Sequence, residues 1–417
     1  MRPQLENDKV LTMHQVASES RTSAAADSAR LLETAAALQP IVTGYQDETE
    51  RERRIPTALV EQLRAAGLYR MVVPRELGGL EVNLVTFLRA AELMAESDGS
   101  VGWNLANSAI QQLIALSLPD AGVKDIFDRG PDTIIAGTAV PGGGTAREVE
   151  GGYIVSGRWP FGSGCRESSW MLGNFDITDG DQRRRDADGT FVLRRGFFPS
   201  SECTIIDTWD MTGMRGTGSH DWSVTDQFIP HQRTVEVPGR LLFNQWSRWR
   251  GPFYALPVHA LVGLHHSVVA TGIARAAIDA LTELAGAKVP RGRSGLLRDQ
   301  PHIQEAVARA EAILGAAQTY RAAVASDIWD TVAAGQETTL EQRARCRLAA
   351  SFLVDSARQA MDLMYRAGGT TSSKRTHRLA RCWRDLQVVG HAASVAPEWY
   401  ALTGKAFLGL EPGPRLI

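Results

Sequence analysis

The sequence predicts an α+β protein in which a helical part, a β-rich part and a second helical part follow one another. Three observations support this prediction. Apolar residues recur at helical spacing before about residue 132, short β-type runs occupy the middle, and helical periodicity returns from Pro252. With 417 residues, 44% of them hydrophobic, the chain can bury a large core in two or three domains.

The first part is predicted to be a mobile tail followed by a helical domain. Residues 1–28 are polar, rich in Ser and Ala and without periodicity, which is typical of a mobile terminus. In residues 29–131, Ile55, Leu59 and Leu63 lie near helical spacing, and Pro56 suits a helix start. Two further helices are expected over residues 84–95 and 101–118.

Residues 132–240 are predicted to form a central β domain. Asp179-Gly180 and Asp188-Gly189 are typical of tight turns between strands. Short strands without intervening helices predict an antiparallel barrel or sandwich. The runs rich in β-type residues are 133–140, 153–159, 170–177, 190–198, 203–208 and 221–229.

Residues 241–417 are predicted to form a C-terminal four-helix bundle. Ile303, Val307, Ala310 and Leu314 follow a spacing of four and three residues, and the same spacing recurs from Leu353. Long amphipathic helices with short connections are typical of bundles.

Composition excludes several classes of function. The formal net charge of −2 provides no global field to attract nucleic acid or an anionic membrane. The four cysteines lack the spacing of a zinc site or a disulfide framework, which favours a reducing cytoplasm. The most apolar stretch, residues 253–285, is interrupted by histidines, Arg275 and Asp279, so we expect neither a membrane span nor a membrane partner. The N-terminus lacks a signal-peptide pattern, and a soluble cytoplasmic protein is expected.

Four motifs occur in a fixed order along the chain. They are RMVVPRELGG at residues 70–79, GTAVPGG at 137–143, GRWPFGSG at 157–164 and GMRGTGS at 213–219. Together with the three-part layout, they resemble the acyl-CoA dehydrogenase superfamily from about Ile55 to Gly409. The resemblance implies the acyl-CoA dehydrogenase fold, with an N-terminal helical domain, a central β-barrel or sandwich domain and a C-terminal four-helix bundle.

Within that superfamily the chain most resembles the two-component flavin-dependent monooxygenases. Trp209-Asp210 precedes the last motif, and His391 follows Arg384-Asp385 by six residues. A dehydrogenase would need a carboxylate base over the flavin. No Tyr-Glu-Gly-Thr run lies near His391, and the segment from Gly251 to Ile278 contains no Asp or Glu.

This resemblance implies a hydroxylase that uses reduced flavin (FADH2 or FMNH2) and O2 as co-substrate. A separate NAD(P)H-dependent flavin reductase would supply the flavin. An aromatic or heteroaromatic small molecule would be oxygenated through a flavin C4a-hydroperoxide. Two alternatives stay open: N-hydroxylation of an amine or amino sugar, and an acyl-CoA dehydrogenase with a different base.

The resemblance also implies site residues. His391 would be a catalytic base or proton donor, since imidazole titrates near neutral pH. Ser163 aligns with the hydroxyl that contacts flavin N5, so it would be both catalytic and cofactor-binding. The other cofactor contacts would be Thr138, Val140 and Arg215, with Arg293, Gly368 and Gly369 reaching the flavin of a neighbouring subunit in a homotetramer. Substrate contacts would be Trp103, Asn107, Gln111, Trp209 and His259.

Purely structural roles remain alternatives for each of these residues, such as a turn hydroxyl for Ser163 or core packing for the tryptophans. Phenol hydroxylases of this group often carry a histidine where this chain has Gln111 and Gln112, so a simple phenol is not the expected substrate. The histidines lack a carboxylate or cysteine at ligand spacing, so no metal site is predicted.

Overall fold

A computed structural model describes residues 26–138, 142–237 and 249–413. The helix–sheet–helix order predicted from the sequence is confirmed. The predicted mobile tail falls almost entirely outside the described residues, but its last positions, 26–28, are helical. The first helical part consists of α1 (26–44), α2 (Gln46–Glu52), α3 (Thr57–Ala65), α4 (Leu84–Ser97), α5 (Gly99–Ala115) and α6 (Asp120–Phe127).

Side-chain caps separate α4 from α5. Asn83 accepts a hydrogen bond from the backbone N–H of Thr86 at the start of α4. Asp98 ends α4 and caps α5 by accepting from the N–H groups of Ser100 and Val101. Nearly all of α5 is buried, so this helix lies in the centre of the protein and its polar side chains face other elements.

The central part is one sheet in which nine strands of the described chain pair. The order along the main path is β7-β8-β3-β2-β4-β6-β9, while β1 and β5 pair with β4. The strands are β1 (Ile135–Gly137), β2 (Gly144–Val149), β3 (Gly152–Gly162), β4 (Trp170–Asp179), β5 (Gln182–Arg183), β6 (Leu193–Pro199), β7 (Thr204–Ile206), β8 (His220–Pro230) and β9 (Thr234–Glu236).

The expectation of a purely antiparallel β domain is wrong. Both β1 and β2 pair with β4 in parallel. The hairpin from β2 turns at Gly151 and returns as β3, after which the chain crosses to place β4 on the far side of β2. This crossover produces a mixed sheet that the spacing of turn residues does not reveal.

Two stacked tryptophans form the core of the sheet. Trp159 and Trp222 have ring centroids 4.3 Å apart, and the indole N–H of Trp159 donates to the carbonyl of Asn174. Gly144 gives the indole its space, since a Cβ there would lie 2.5 Å from the Trp159 ring. The glycine-rich run before β2 therefore has a packing role as well as a turn role.

The second helical part consists of α7 (Pro252–Ala255), α8 (Val258–Ala287), α9 (Pro301–Ala333), α10 (Leu340–Gly368), α11 (Arg378–Val389) and α12 (Glu398–Phe407). The central helix is α8, which packs against α4, α10 and α11. Its segment Ala260–Ala287 is long and apolar enough to cross a membrane, but 83% of the most apolar window is buried inside the protein. Such burial is typical of a core helix in a soluble protein.

Candidate functional site

One face of α5 and one face of α8 meet at Trp103 and His266. The two rings stack with centroids 4.2 Å apart and planes inclined by 16°. Asn107, one helical turn beyond Trp103, donates through its amide nitrogen to the carbonyl of Trp103. The amide oxygen of Asn107 lies 3.3 Å from Nε2 of His266, and Nδ1 of His266 lies 2.6 Å from Oγ of Ser394. The imidazole is therefore held on three sides.

These contacts determine which His266 nitrogen carries the hydrogen. The Asn107 oxygen can only accept, so Nε2 of His266 must donate to it. In a neutral ring Nδ1 then accepts from the Ser394 hydroxyl. Burial lowers the pKa of His266 well below 6.5, and neighbouring His265 and Arg347 lower it further. His266 is thus a neutral imidazole of fixed tautomer at physiological pH.

A chain of hydroxyl groups begins at the same tryptophan. The indole N–H of Trp103 donates to Oγ of Ser163 over 3.1 Å. Oγ of Ser163 lies 2.7 Å from Oγ of Ser219, which in turn lies 2.7 Å from Oγ1 of Thr217. The Thr217 hydroxyl donates to the carbonyl of Met214 over 2.8 Å. Ser163 is half-buried and the next two hydroxyls are buried, so the chain runs from the open side into the protein.

An exposed aromatic ring stands beside Ser163. Phe161 is 57% exposed, and its φ of 63° is in the left-handed region that non-glycine residues rarely adopt. The N–H of Ser163 donates to the Phe161 carbonyl, and the Phe161 ring meets Trp209 edge to face at 6.4 Å. A strained backbone that presents an aromatic face next to a hydroxyl is suited to a flat ring ligand.

Unpaired acceptor oxygens line the same side of α5. Gln111 donates through Nε2 to the carbonyl of Gly137, while its Oε1 is buried with no hydrogen-bond partner among the described residues. Oδ1 of Asn104 is likewise buried with no hydrogen-bond partner among the described residues. Thr138 is 8% exposed directly after β1. The predicted contact Val140 lies outside the described residues, as does the side chain of His259.

Trp209 and Arg215 are engaged in structural contacts. Trp209 is buried, and its indole N–H donates to the Met214 carbonyl. Arg215 forms an ion pair with Asp210 at 2.7 Å and donates to the Glu50 carbonyl. Within this single chain neither side chain reaches Ser163 by a hydrogen bond.

The remaining predicted residues lie apart from the Trp103–Ser163 cluster. His391 is exposed in the turn after α11, three residues before Ser394, and its backbone N–H donates to Val388. Arg293 is exposed in the connection between α8 and α9. Gly368 ends α10 and Gly369 begins the 3-10 turn after it, and Lys288 donates to the Gly368 carbonyl. Exposure of Arg293 and Gly369 leaves both free to face another subunit.

Sequence reasoning missed His266 as a site residue, together with Ser219, Thr217, Ser394 and Phe161. A signal did exist for two of these residues, because Ser219 and Thr217 belong to the motif at 213–219. His266 meets Asn107 from 159 residues away, and only the packing of α8 against α5 brings the two together.

The residues present fit reduced flavin. Oγ of Ser163 and the buried oxygen of Asn104 are acceptors, and reduced flavin is a flat ring that carries several N–H donors. Phe161 offers an aromatic face for such a ring. In the described part of the chain, no three His, Cys, Asp or Glu side chains come together as a metal site.

Two family descriptions match the chain. Residues 30–121 match "Acyl-CoA dehydrogenase, N-terminal domain", and residues 264–396 match "Acyl-CoA dehydrogenase, C-terminal domain". These segments include α4 and α5 on one side and most of α8, with Ser394, on the other, and these elements hold the Trp103–His266 stack.

Known relatives align over nearly the whole chain. Indole-3-acetate monooxygenase of Pseudomonas putida is 30% identical over 394 residues, which cover 93% of this chain and 97% of the relative. The oxygenase subunit HsaA of a flavin-dependent monooxygenase from Rhodococcus jostii is 29% identical and covers 90% of this chain and 97% of its own length. The structure of XiaF from Streptomyces in complex with FADH2 superposes with a TM-score of 0.84 at 25% identity, covering 95% of this chain and 99% of XiaF.

Proposed function

Because this chain belongs to the acyl-CoA dehydrogenase family and is a flavin-dependent monooxygenase of that family, we propose that it oxygenates a heteroaromatic small molecule beside Trp103 and Ser163. It uses reduced flavin and O2, and a flavin reductase is its partner. The observation that carries the proposed site is the hydrogen bond from the Trp103 indole to Ser163, next to the exposed Phe161 ring.

The protein's own residues would bind the flavin and shield it from water. Reduced flavin, when bound, supplies the electrons that activate O2. Oγ of Ser163 would accept the hydrogen of flavin N5, and Phe161 would cover one face of the ring. Thr138 would contact the ring edge directly after β1. Arg215 would contribute only after leaving Asp210 or through a neighbouring subunit.

The hydrogen-bonded groups around Ser163 favour oxygenation over dehydrogenation. From Met214 through Trp103 and His266 to Ser394, every side chain of the cluster is neutral. Abstraction of an α-proton needs a carboxylate in reach of the flavin. The carboxylate that contacts this cluster, Asp385, accepts the backbone N–H of Met214 at the end of the hydroxyl chain remote from Ser163. His391, which we propose as base or proton donor, lies three residues before Ser394, which belongs to the short 3-10 helix Ala393–Val395.

The substrate would lie against polar groups that suit a heteroaromatic ring. Asn107 and Gln111 lie one helical turn apart on α5, with Trp103 one turn before them. An indole-type ring presents a flat face for stacking and one N–H donor, which matches the free acceptor oxygen of Gln111. Trp209 would support the pocket from behind Phe161.

Turnover with isotopically heavy O2 tests this function. Purified protein, an NADH-dependent flavin reductase and FAD are supplied with indole-3-acetate, a simple phenol or a primary amine. We expect heavy oxygen in the indole-type product and coupled NADH consumption. Consumption of NADH with only hydrogen peroxide formed from every compound would contradict the proposal, while labelled hydroxylamine would assign N-hydroxylation instead.

We propose that the active form is a homotetramer in the cytoplasm and that its cofactor is FAD. Arg293 is exposed beside Val289, an apolar residue that is 58% exposed, and Gly369 is exposed with a φ of 60°. These positions would reach the flavin phosphates of a neighbouring subunit, together with Gly368. Sedimentation equilibrium should give the mass of four chains. A monomer that binds FAD as tightly as the assembled protein would contradict this role.

A further inference from the structure

The hydroxyl chain behind Ser163 has only one arrangement of hydrogens that satisfies every contact. The carbonyl of Met214 can only accept, so the Thr217 hydroxyl must donate to it across 2.8 Å. Thr217 has no second hydrogen, so Ser219 must donate to Thr217 across 2.7 Å. Ser163 must then donate to Ser219 across 2.7 Å. The reverse arrangement would leave two oxygens, those of Thr217 and Met214, facing each other without a hydrogen.

This direction leaves Ser163 with an acceptor and no donor on its open side. Its hydrogen is directed to Ser219, and one of its lone pairs receives the indole N–H of Trp103. Only the second lone pair of the Ser163 Oγ is left to form a further hydrogen bond, and it can only accept one. Any ligand atom that meets Ser163 here must therefore bring its own hydrogen.

The two oxidation states of flavin differ at this atom. N5 of reduced flavin carries a hydrogen and donates, whereas N5 of oxidised flavin has a lone pair and only accepts. Two acceptors facing each other in a half-buried site cost free energy, since neither can be satisfied. A serine locked as an acceptor would thus distinguish the two states.

We propose that Ser219 and Thr217 are positioning residues that lock Ser163 as a hydrogen-bond acceptor and so make the site selective for reduced over oxidised flavin. The inference rests on the proposed function, because it takes Ser163 to meet flavin N5. Asn104 supports the arrangement by donating to the Thr217 carbonyl over 3.3 Å. The burial of Ser219 and Thr217, at 4% and 1% exposed, keeps water from competing for their hydrogens.

Thr217→Val is the most direct test. Valine keeps the shape but removes the oxygen, so Ser219 is left with Ser163 as its acceptor and the chain reverses. The Met214 carbonyl still receives the indole N–H of Trp209 at 2.9 Å, so no buried carbonyl is stranded. Thr217→Ser keeps the hydroxyl and is the matched control. Ser219→Ala is a second variant, which frees the hydrogen of Ser163 without reversing the chain.

The measurement is the pair of dissociation constants for reduced FAD, under anaerobic conditions, and for oxidised FAD. We expect wild type and Thr217→Ser to prefer reduced FAD. Thr217→Val should lower the ratio of the dissociation constant for oxidised FAD to that for reduced FAD about tenfold, because Ser163 then presents a hydrogen instead of a lone pair to N5. Ser219→Ala should lower the same ratio, because the freed hydrogen of Ser163 can be donated to N5 of oxidised FAD. For a two-electron couple, a tenfold change in the ratio lowers the midpoint potential of bound FAD by about 30 mV, a second readout independent of turnover.

Two results would overturn the inference while the proposed function stands. One is an unchanged ratio in Thr217→Val and Ser219→Ala although wild type prefers reduced FAD. This result includes an equal loss of affinity for both states, which would make the hydroxyls merely structural. The other is a wild type that binds oxidised FAD as tightly as reduced FAD. If wild type binds no reduced FAD at all, the proposed function itself fails and the inference fails with it. Thermal melting of each variant verifies that it is folded.

Discussion

At the scale of residues, the site is a set of neutral groups whose hydrogen-bond directions are determined by one another. The Trp103 indole joins its two halves, since it stacks on His266 and donates to Ser163. A site built in this way binds and orients flavin and substrate, while the electron transfer is carried out by the flavin. The orientation of each group then matters more than its charge.

His266 is expected to hold the Trp103 indole in place. His266→Ala removes the stacked ring and both hydrogen bonds, so the indole gains freedom and affinity for reduced FAD should fall about tenfold. His266→Phe keeps the stack and should retain most of that affinity. Anaerobic titration of reduced FAD measures both variants. Equal losses in the two would show that the hydrogen bonds, and not the ring, hold the indole.

A site residue could be predicted from the sequence when its role follows from a local motif or a helix face, and not when it follows from contacts between distant elements. Ser163, Trp103 and Asn107 were identifiable because they sit in a local motif or share one helix face. His266 was not, since its partners lie on other elements: Asn107 is 159 residues away and Ser394 is 128 residues away. The strained backbone of Phe161 is likewise invisible in a sequence, because its φ depends on the packed loop around it.

At the scale of elements, one buried ion pair ties α4 to α9. Glu92 is 0% exposed and receives two hydrogen bonds from Arg321, with further donors from Thr271 and Gln318. Burial alone would raise the pKa of Glu92, but the charge of Arg321 and these hydrogen bonds lower it to about 2. Both partners are therefore charged in the core.

Replacing Arg321 alone should lower the free energy of unfolding substantially. Arg321→Met removes two hydrogen bonds from the buried carboxylate of Glu92 and leaves it only the partly exposed Arg89 as counter-charge. The free energy of unfolding should therefore fall by about 3 kcal/mol. Arg275→Met is the matched control, because it breaks the more exposed pair with Glu311 and should cost at most about 1 kcal/mol. Urea unfolding measures both variants. Similar losses would contradict the assigned role.

A buried carboxylate connects α11 to the hydroxyl loop. Asp385 accepts the N–H of Met214 at 2.5 Å, and Met214 has a left-handed φ of 51°. Burial, and then the nearby Asp98, raise the pKa of Asp385 to about 7, against the lowering effects of the Met214 N–H and Arg381. The loop that orients Ser163 is thus attached to a group that titrates near neutrality.

This raised pKa predicts how stability depends on pH. The folded protein holds the Asp385 proton from the usual value of 3.8 up to about 7, whereas the unfolded chain has lost it, so this group's contribution falls as pH rises through that window. Asp385→Asn keeps the acceptor oxygen and should flatten the loss of melting temperature between these pH values. Asp362→Asn, at an exposed pair with Arg366, is the control. An unchanged slope in Asp385→Asn would contradict the assignment.

Strands were harder to predict than helices for a physical reason. The positions of α4 and α5 follow from local periodicity and from caps at Asn83 and Asp98. β2 is absent from the predicted strand runs, and its first residue is Gly144, a residue type that strands disfavour. The packed Trp159 ring requires a glycine at that position. Pairing between distant strands, such as β2 with β4, has no local signal.

At the scale of the whole molecule, α8 connects the bundle to the N-terminal helices, and its His266 closes the site built by α5 and the sheet. The family fold could be predicted from four ordered motifs, while the parallel pairing of β1 and β2 with β4 could not. The chemistry depends on all three parts together: Trp103 from the helices, Ser163 from the sheet and His266 from the bundle.

The reoxidation of reduced FAD by O2 in a stopped-flow instrument tests the account most directly. With excess protein, we predict that the visible absorbance of oxidised FAD appears only after a lag. The reason is that the N5–H of the flavin stays hydrogen-bonded to Oγ of Ser163 and the site excludes water. Ser163→Ala should shorten the lag about tenfold or more. Reoxidation of reduced FAD at its free rate in the presence of the wild-type protein would contradict the account.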